Sequence, residues 1–296
     1  MFNQKPPIMI RIFFKTVITL ILLLFPFLGG ILISRFSPYN EGNSIVNYIF
    51  VYSIATIIIA SVLFYTTSRF RNAFVQPVLP GIILFFLGIV MMGIVGLSAP
   101  PDLSIKMLEH PEREHLRYII LYLGAFLFGL FFINLLIKNL LNLKTYTKWI
   151  MIGLFIISFI ELLWEFHHHY YYPESLKVWV ENGNKAEDFS KNYDNNIVGT
   201  IGAIGRLTIY TIILWLSIGL YKIRKVNLWN PILTSFFCVL GIISSVLMFL
   251  FFNSGIETPK ELGFSIIFFI PGIPFLILYW IGVALMTRNL LSNSKT

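Results

Sequence analysis

The chain has 296 residues, of which 57% are hydrophobic and 12% charged, and it carries a formal net charge of +8. Soluble globular domains are about a quarter charged, so this composition excludes a soluble fold and specifies an integral membrane protein. The positive balance calls for no nucleic-acid partner, because the basic residues gather in alternate loops instead of forming one patch.

A spanning helix needs roughly 20 mostly apolar residues, and eight stretches meet that requirement. The first, 12 to 34, follows basic residues as a signal peptide would. Its apolar run is long, and "GGILISRFS" offers no small-residue cleavage site, so it reads as a retained helix. Pro26, with Gly29 and Gly30 after it, interrupts this helix. The second and third stretches are 46 to 66 and 79 to 98, the latter with Pro80-Gly81 at its start and Gly88, Gly93 and Gly96 at packing intervals. A long loop, 99 to 116, leads to the fourth and fifth stretches, 117 to 137 and 149 to 168. A second long loop, 169 to 197, precedes the sixth, 198 to 221, which carries Gly199, Gly202 and Gly205. The seventh, 231 to 252, holds the single cysteine, Cys238, which excludes an intrachain disulfide and reads as a small core residue. The eighth, 263 to 287, is broken by Pro271-Gly-Ile-Pro274. No linker divides residues 1 to 296, so they form one helical membrane domain; two matching halves are not evident.

Lys and Arg concentrate on the cytoplasmic side of membrane proteins. Lys5, Arg11, Lys15, Arg69, Arg71, Lys138, Lys144, Lys148, Lys222, Arg224, Lys225, Arg288 and Lys295 fall on one side with no acidic residue, while the other side collects 12 acidic and 8 basic residues. The expected fold is therefore all-α with eight transmembrane helices, both termini cytoplasmic and helices 1 and 8 broken by proline. Such an arrangement suits a bacterial inner membrane.

Apart from Lys15 and Arg117 at the ends of their stretches, three charges, Glu161, Glu165 and Arg206, lie inside the apolar stretches. Each costs about 2.5 to 3.5 kcal/mol to insert, so intramembrane charges mark function and need partners. Glu161 is about 10 Å below His168 and Arg206 about 12 Å below the start of its helix, at 1.5 Å per residue. The two share a depth on consecutive helices, which predicts a Glu161–Arg206 ion pair. Pro26 and Pro271 fall near the same level, where irregular backbone is tolerated beside protein or a water-filled cavity. A polar pocket opening to the exterior leaflet follows.

At 100° per residue, Glu161, Glu165 and His168 share a helical face while His167 points away and His169 sits at the edge. Glu165-Phe-His-His168 and Glu112-Arg-Glu-His115 are both E-x-x-H pairs, the pattern of carboxylate-bridged dimetal sites in helical bundles, and imidazole with carboxylate also suits zinc. Glu112, His115, Glu165 and His168 are thus candidate ligands for a divalent metal, zinc or iron. A second reading of "HPEREH" is a helix start with Pro111 at the first position and acids in the first turn, and Tyr170, Tyr171, Tyr172 and Trp179 read as an interfacial aromatic belt. The histidine boxes of membrane desaturases, the double-Glu motif of CAAX-type proteases and the Gly-x-Ser-Gly site of rhomboids are all absent, and Cys238 lies mid-helix, away from where an exosortase-like site would need it.

The favoured function is a membrane-embedded enzyme acting on a lipid or a small anionic, envelope-linked substrate. Its candidate catalytic residues are Glu161, Glu165 and His168, with Arg206 for an anionic group such as a phosphate. Two rivals stand beside it: a proton-coupled secondary transporter with a Glu161–Arg206 switch, and a structural subunit of an envelope complex. Apart from substrate, the partner implied is the lipid bilayer.

Overall fold

A computed structural model describes residues 8–69, 78–255, 263 and 267–292. The described residues form helices α1 (Ile8–Ile33), α2 (Ile45–Arg69), α3 (Val78–Leu97), α4 (Pro111–Ile137), α5 (Thr145–Tyr170), α6 (Tyr172–Glu181), α7 (Phe189–Tyr193), α8 (Asn196–Lys222), α9 (Trp229–Ser254) and α10 (Gly272–Ser292), with short 3-10 turns between and no strand. This is an all-α polytopic membrane protein. Among the described residues seven helices are long and apolar enough to cross a bilayer, and an eighth apolar helix, in α10, is shorter. The side chains of Lys5, Arg11, Lys15, Arg69, Arg71 and Lys295 lie outside the described residues.

Hydropathy places the start of the last helix at residue 263, and it begins instead at Gly272. Pro271 and Pro274 lack the N–H groups that would extend the ladder upstream, so residues 267–269 form a 3-10 turn whose carbonyls are left for other donors. Tyr210 of α8 donates to the Phe268 carbonyl at 2.5 Å. Pro26 behaves differently: α1 runs through it unbroken. A proline removes the donor to the carbonyl four residues back, here that of Leu22, and the Tyr279 hydroxyl of α10 donates to that oxygen. Trp280 Nε1 donates to the next carbonyl, Leu23, at 3.3 Å. The helix continues because a distant helix supplies what proline withholds.

The packing order follows the glycines. α3 packs against α1, α4 and α10, and the chain of contacts continues α4–α5–α8–α9. Two-thirds of the α3 span is buried against 11% for α2, so α3 is the central strut and α2 faces lipid. The Tyr279 ring rests where a side chain on Gly88 would stand, and the Tyr210 ring does the same at Gly241. Small residues let helices approach closely where lipid gives no hydrophobic drive to associate. α2 reaches α3 through two tyrosines, Tyr48 donating to the Gly93 carbonyl and Tyr52 to that of Ile89 at 3.2 Å.

The two ends of the bundle differ in charge. One carries Lys138, Lys144 and Lys148 around the α4–α5 turn and Lys222, Arg224 and Lys225 after α8; Arg288 of α10 joins them, donating to the Val226 carbonyl at 2.8 Å. The other end carries α6 and α7, which give helical form to the long loop after α5. Tyr172, placed in an aromatic belt by sequence, is instead buried with Met107, Leu176 and Phe189 in a small core of its own. At this end Glu114, which reads as a helix-start residue, is buried in a clasp. It accepts from the Tyr39 hydroxyl, Arg117 Nε at 3.2 Å and the Asp102 amide at 3.1 Å, while Arg117 Nη2 donates to the Ala99 carbonyl at 2.8 Å.

Tyr279→Phe strands the Leu22 carbonyl and should cost about 1–3 kcal/mol, the penalty of an unmade buried hydrogen bond. In a Pro26→Ala background the alanine supplies its own N–H to that carbonyl, and the same change should cost much less; denaturant unfolding of the four detergent-solubilised proteins measures the difference.

Candidate functional site

The site is built where α5, α8 and the turn before α10 meet. Glu161 and Glu165 are one helical turn apart on α5 and therefore project from the same face. From α8, Arg206 reaches both. Its Nη1 donates to the two oxygens of Glu161 at 3.1 and 2.9 Å, its Nη2 donates to Glu165, and its Nε donates to the Phe269 carbonyl at 3.0 Å. The guanidinium also stands 5.8 Å from the centre of the Phe269 ring. Arg206 is wholly enclosed and Glu161 nearly so, whereas the Glu165 side chain keeps 12% of its surface.

Gly205 makes this approach possible, because a Cβ there would collide with the Glu161 side chain. The guanidinium fork suits such multidentate recognition of carboxylates, and burial removes the competition from water. Two carboxylates and one guanidinium sum to one negative charge when all are ionised. A single proton on either acid brings the cluster to neutrality. With its donors committed to Glu161, Glu165 and Phe269, Arg206 is turned to the protein and presents no face to a substrate.

A cleft of about 310 Å³ opens beside the cluster, lined by Glu165, His169, Asp194, Gly202, Phe269 and Pro271 among others. Pro271 therefore belongs to the site, while Pro26 does not line it. Asp194, just before α8, was not singled out by the sequence. His168 Nε2 lies 3.1 Å from its Oδ1 and His169 Nε2 3.4 Å from the same atom. Burial alone would raise the Asp194 carboxyl, but hydrogen bonds from both histidines and their charge outweigh it and hold the pKa at about 2. Both rings are braced: Trp164 and Tyr193 stack on His168, at 5.4 and 4.1 Å between centres, and Tyr118 stacks on His169 at 5.6 Å.

The four-ligand set built from two E-x-x-H pairs is not assembled as one group. His115 faces Glu174 at 3.0 Å, out of line for a hydrogen bond, and its ring stacks on Tyr170. Glu112 pairs with His110 at 3.3 Å. The physical reason is α6, whose Glu174 takes the position next to His115. Glu165 and His168 remain close to the cleft, each with a different partner, Arg206 and Asp194. His167 points outward against Tyr171.

On its lipid-facing side the same cluster borders a second cavity. An apolar groove of about 470 Å³ runs between α5 and α8, lined by Ile156, Ile157, Ile160, Ile201 and Ile204, with Glu161, Trp164 and Gly205 also on its wall. Trp164 lines both the groove and the cleft. The chain matches no protein-family profile, no curated protein and no solved structure.

Removing one side of a buried ion cluster leaves the other uncompensated, at about 3–5 kcal/mol. Arg206→Met should therefore destabilise the protein by that order. Adding Glu161→Gln and Glu165→Gln should recover part of the loss; if the three changes merely add, these residues are not one cluster.

Proposed function

We propose that this protein is a membrane-embedded enzyme whose substrate joins a polar head to a hydrocarbon chain, a lipid or an envelope-linked molecule. The observation that carries this reading is that Trp164 is shared by an apolar groove and by a cleft that sets Glu165, His169 and Asp194 into an otherwise largely apolar wall. A soluble metabolite would leave the groove empty, and a pure hydrocarbon would leave Glu165, Asp194 and His169 of the cleft without purpose. Glu165 is the acid–base residue, being the member of the buried cluster that also faces the cleft. Arg206 and Glu161 position it and set the charge against which its proton moves. His169 and Asp194 are the other ionisable groups on the cleft wall, and His168 holds the same Asp194 oxygen.

The distribution of Lys and Arg supports an orientation with the cleft on the exterior side of a cytoplasmic membrane and both termini inside. In that orientation Asn184→Cys, on a Cys238→Ala background, reacts with an impermeant maleimide in intact cells, and Lys144→Cys reacts only after the membrane is opened. The reverse pattern would invert the assignment.

Turnover is tested by holding the purified protein in nanodiscs with total polar lipids of its source and following every lipid by mass spectrometry. One lipid class should be converted, and Glu165→Gln should slow conversion by about 10²–10⁴-fold, the usual worth of a general acid or base. Ile160→Trp, which fills the groove, should slow long-chain substrates more than short-chain ones. The buried cluster with room for one proton also suits a proton-coupled carrier. Flux across proteoliposomes that moves protons and alters no lipid would establish that rival and defeat the enzyme.

A further inference from the structure

His169 Nδ1 lies 3.0 Å from the main-chain carbonyl of Glu165. A carbonyl oxygen only accepts, so this nitrogen carries a proton. Its other nitrogen, Nε2, faces the Asp194 Oδ1 at 3.4 Å, a junction between nitrogen and carboxylate that a ring proton or a metal ion can occupy. His168 Nε2 approaches the same oxygen at 3.1 Å, and the three ligand atoms all lie within 4.8 Å of one another.

We propose that His168, His169 and Asp194 bind a divalent first-row metal ion, zinc by its geometry, with the fourth position open to the cleft. Zinc takes nitrogen and oxygen ligands at about 2.0–2.2 Å, which in a tetrahedron sets neighbouring ligand atoms roughly 3.3–3.6 Å apart. The two histidine–aspartate separations are close to that edge length. Histidine ligands characteristically donate their other ring N–H to a carbonyl or carboxylate, as His169 does to Glu165. Stacking by Trp164, Tyr193 and Tyr118 holds the two rings in orientation, and the Tyr193 hydroxyl donates to the His168 carbonyl at 2.8 Å, fixing the turn from which they project. Three protein ligands and one open position is the arrangement of catalytic zinc, whereas structural zinc is closed by four. The assignment concerns the ion alone and holds whether the cleft serves catalysis or transport.

The test uses full-length protein expressed without a polyhistidine tag, purified in mild detergent, reloaded with zinc and dialysed into metal-free buffer. Elemental analysis should find about one zinc per chain, the content of a mononuclear site, and reloading with cobalt(II) should give the intense visible bands of a tetrahedral nitrogen and oxygen site. His169→Ala and Asp194→Asn should each abolish both signals. A variant carrying His110→Ala, His115→Ala and His167→Ala together removes every other histidine of the chain from positions at the loop end, and it should keep the metal. Wild-type protein that retains no stoichiometric zinc overturns the proposal, and so does retention by Asp194→Asn or loss in the triple variant. If His169→Ala and Asp194→Asn fail to fold, the wild-type content and the triple variant still decide it.

Discussion

Arg206, fully enclosed in α8, has to find every hydrogen-bond acceptor inside the protein, and α5, α8 and the stretch before α10 are arranged as that requirement dictates. Glu161 and Glu165 sit one turn apart so that two carboxylates meet one fork. Gly205 clears the space for α5 to come close. The proline-interrupted turn at residues 267–271 exposes the Phe269 carbonyl that takes the remaining Nε donor. The cleft is what this arrangement leaves over, because a helix that began upstream of Pro271 would have consumed the carbonyl in its own ladder and brought more side chains to the Arg206 side.

The same scarcity of water decides how the rest of the bundle is joined. Hydroxyl groups of Tyr48, Tyr52 and Tyr279 end on main-chain carbonyls of neighbouring helices, and that of Tyr210 on a carbonyl of the turn before α10. Gly88 and Gly241 each receive the ring of the tyrosine that packs on them. A tyrosine can do this where phenylalanine cannot, since its ring fills the notch and its oxygen satisfies a group that lipid would leave bare. At the loop end the Tyr39, Glu114 and Arg117 clasp applies the rule to charge, drawing the Ala99 carbonyl and the Asp102 amide into one network.

How much of this could be read from the sequence depends on the distance over which each interaction acts. The class of fold and the existence of the apolar helices follow from composition and segment length. The Glu161–Arg206 contact was legible because insertion costs single out a buried charge, and consecutive helices at equal depth leave few choices of partner. Glu165 was legible through its spacing of four from Glu161. Asp194 was not, because it lies in a polar loop where an aspartate is ordinary, and only the folding of α6 and α7 brings it back to His168 and His169. Glu114 looked like part of a helix start because the partner that buries it, Tyr39, is 75 residues away. The start of α10 was misplaced since hydropathy does not register the missing proline donors, and the continuity of α1 through Pro26 depended on a tyrosine near the opposite end of the chain.

That last pairing reaches into biogenesis. When α1 leaves the translocon its Leu22 carbonyl has already lost its helical donor, and the hydroxyl that covers it is translated 257 residues later. Until α10 has been made, α1 carries an oxygen that neither its own helix nor that hydroxyl satisfies. Docking of α10 against α1 and α3 removes that defect. A chain that stops short of α10 therefore leaves a polar flaw in α1 that no later packing within it can cover by this hydrogen bond.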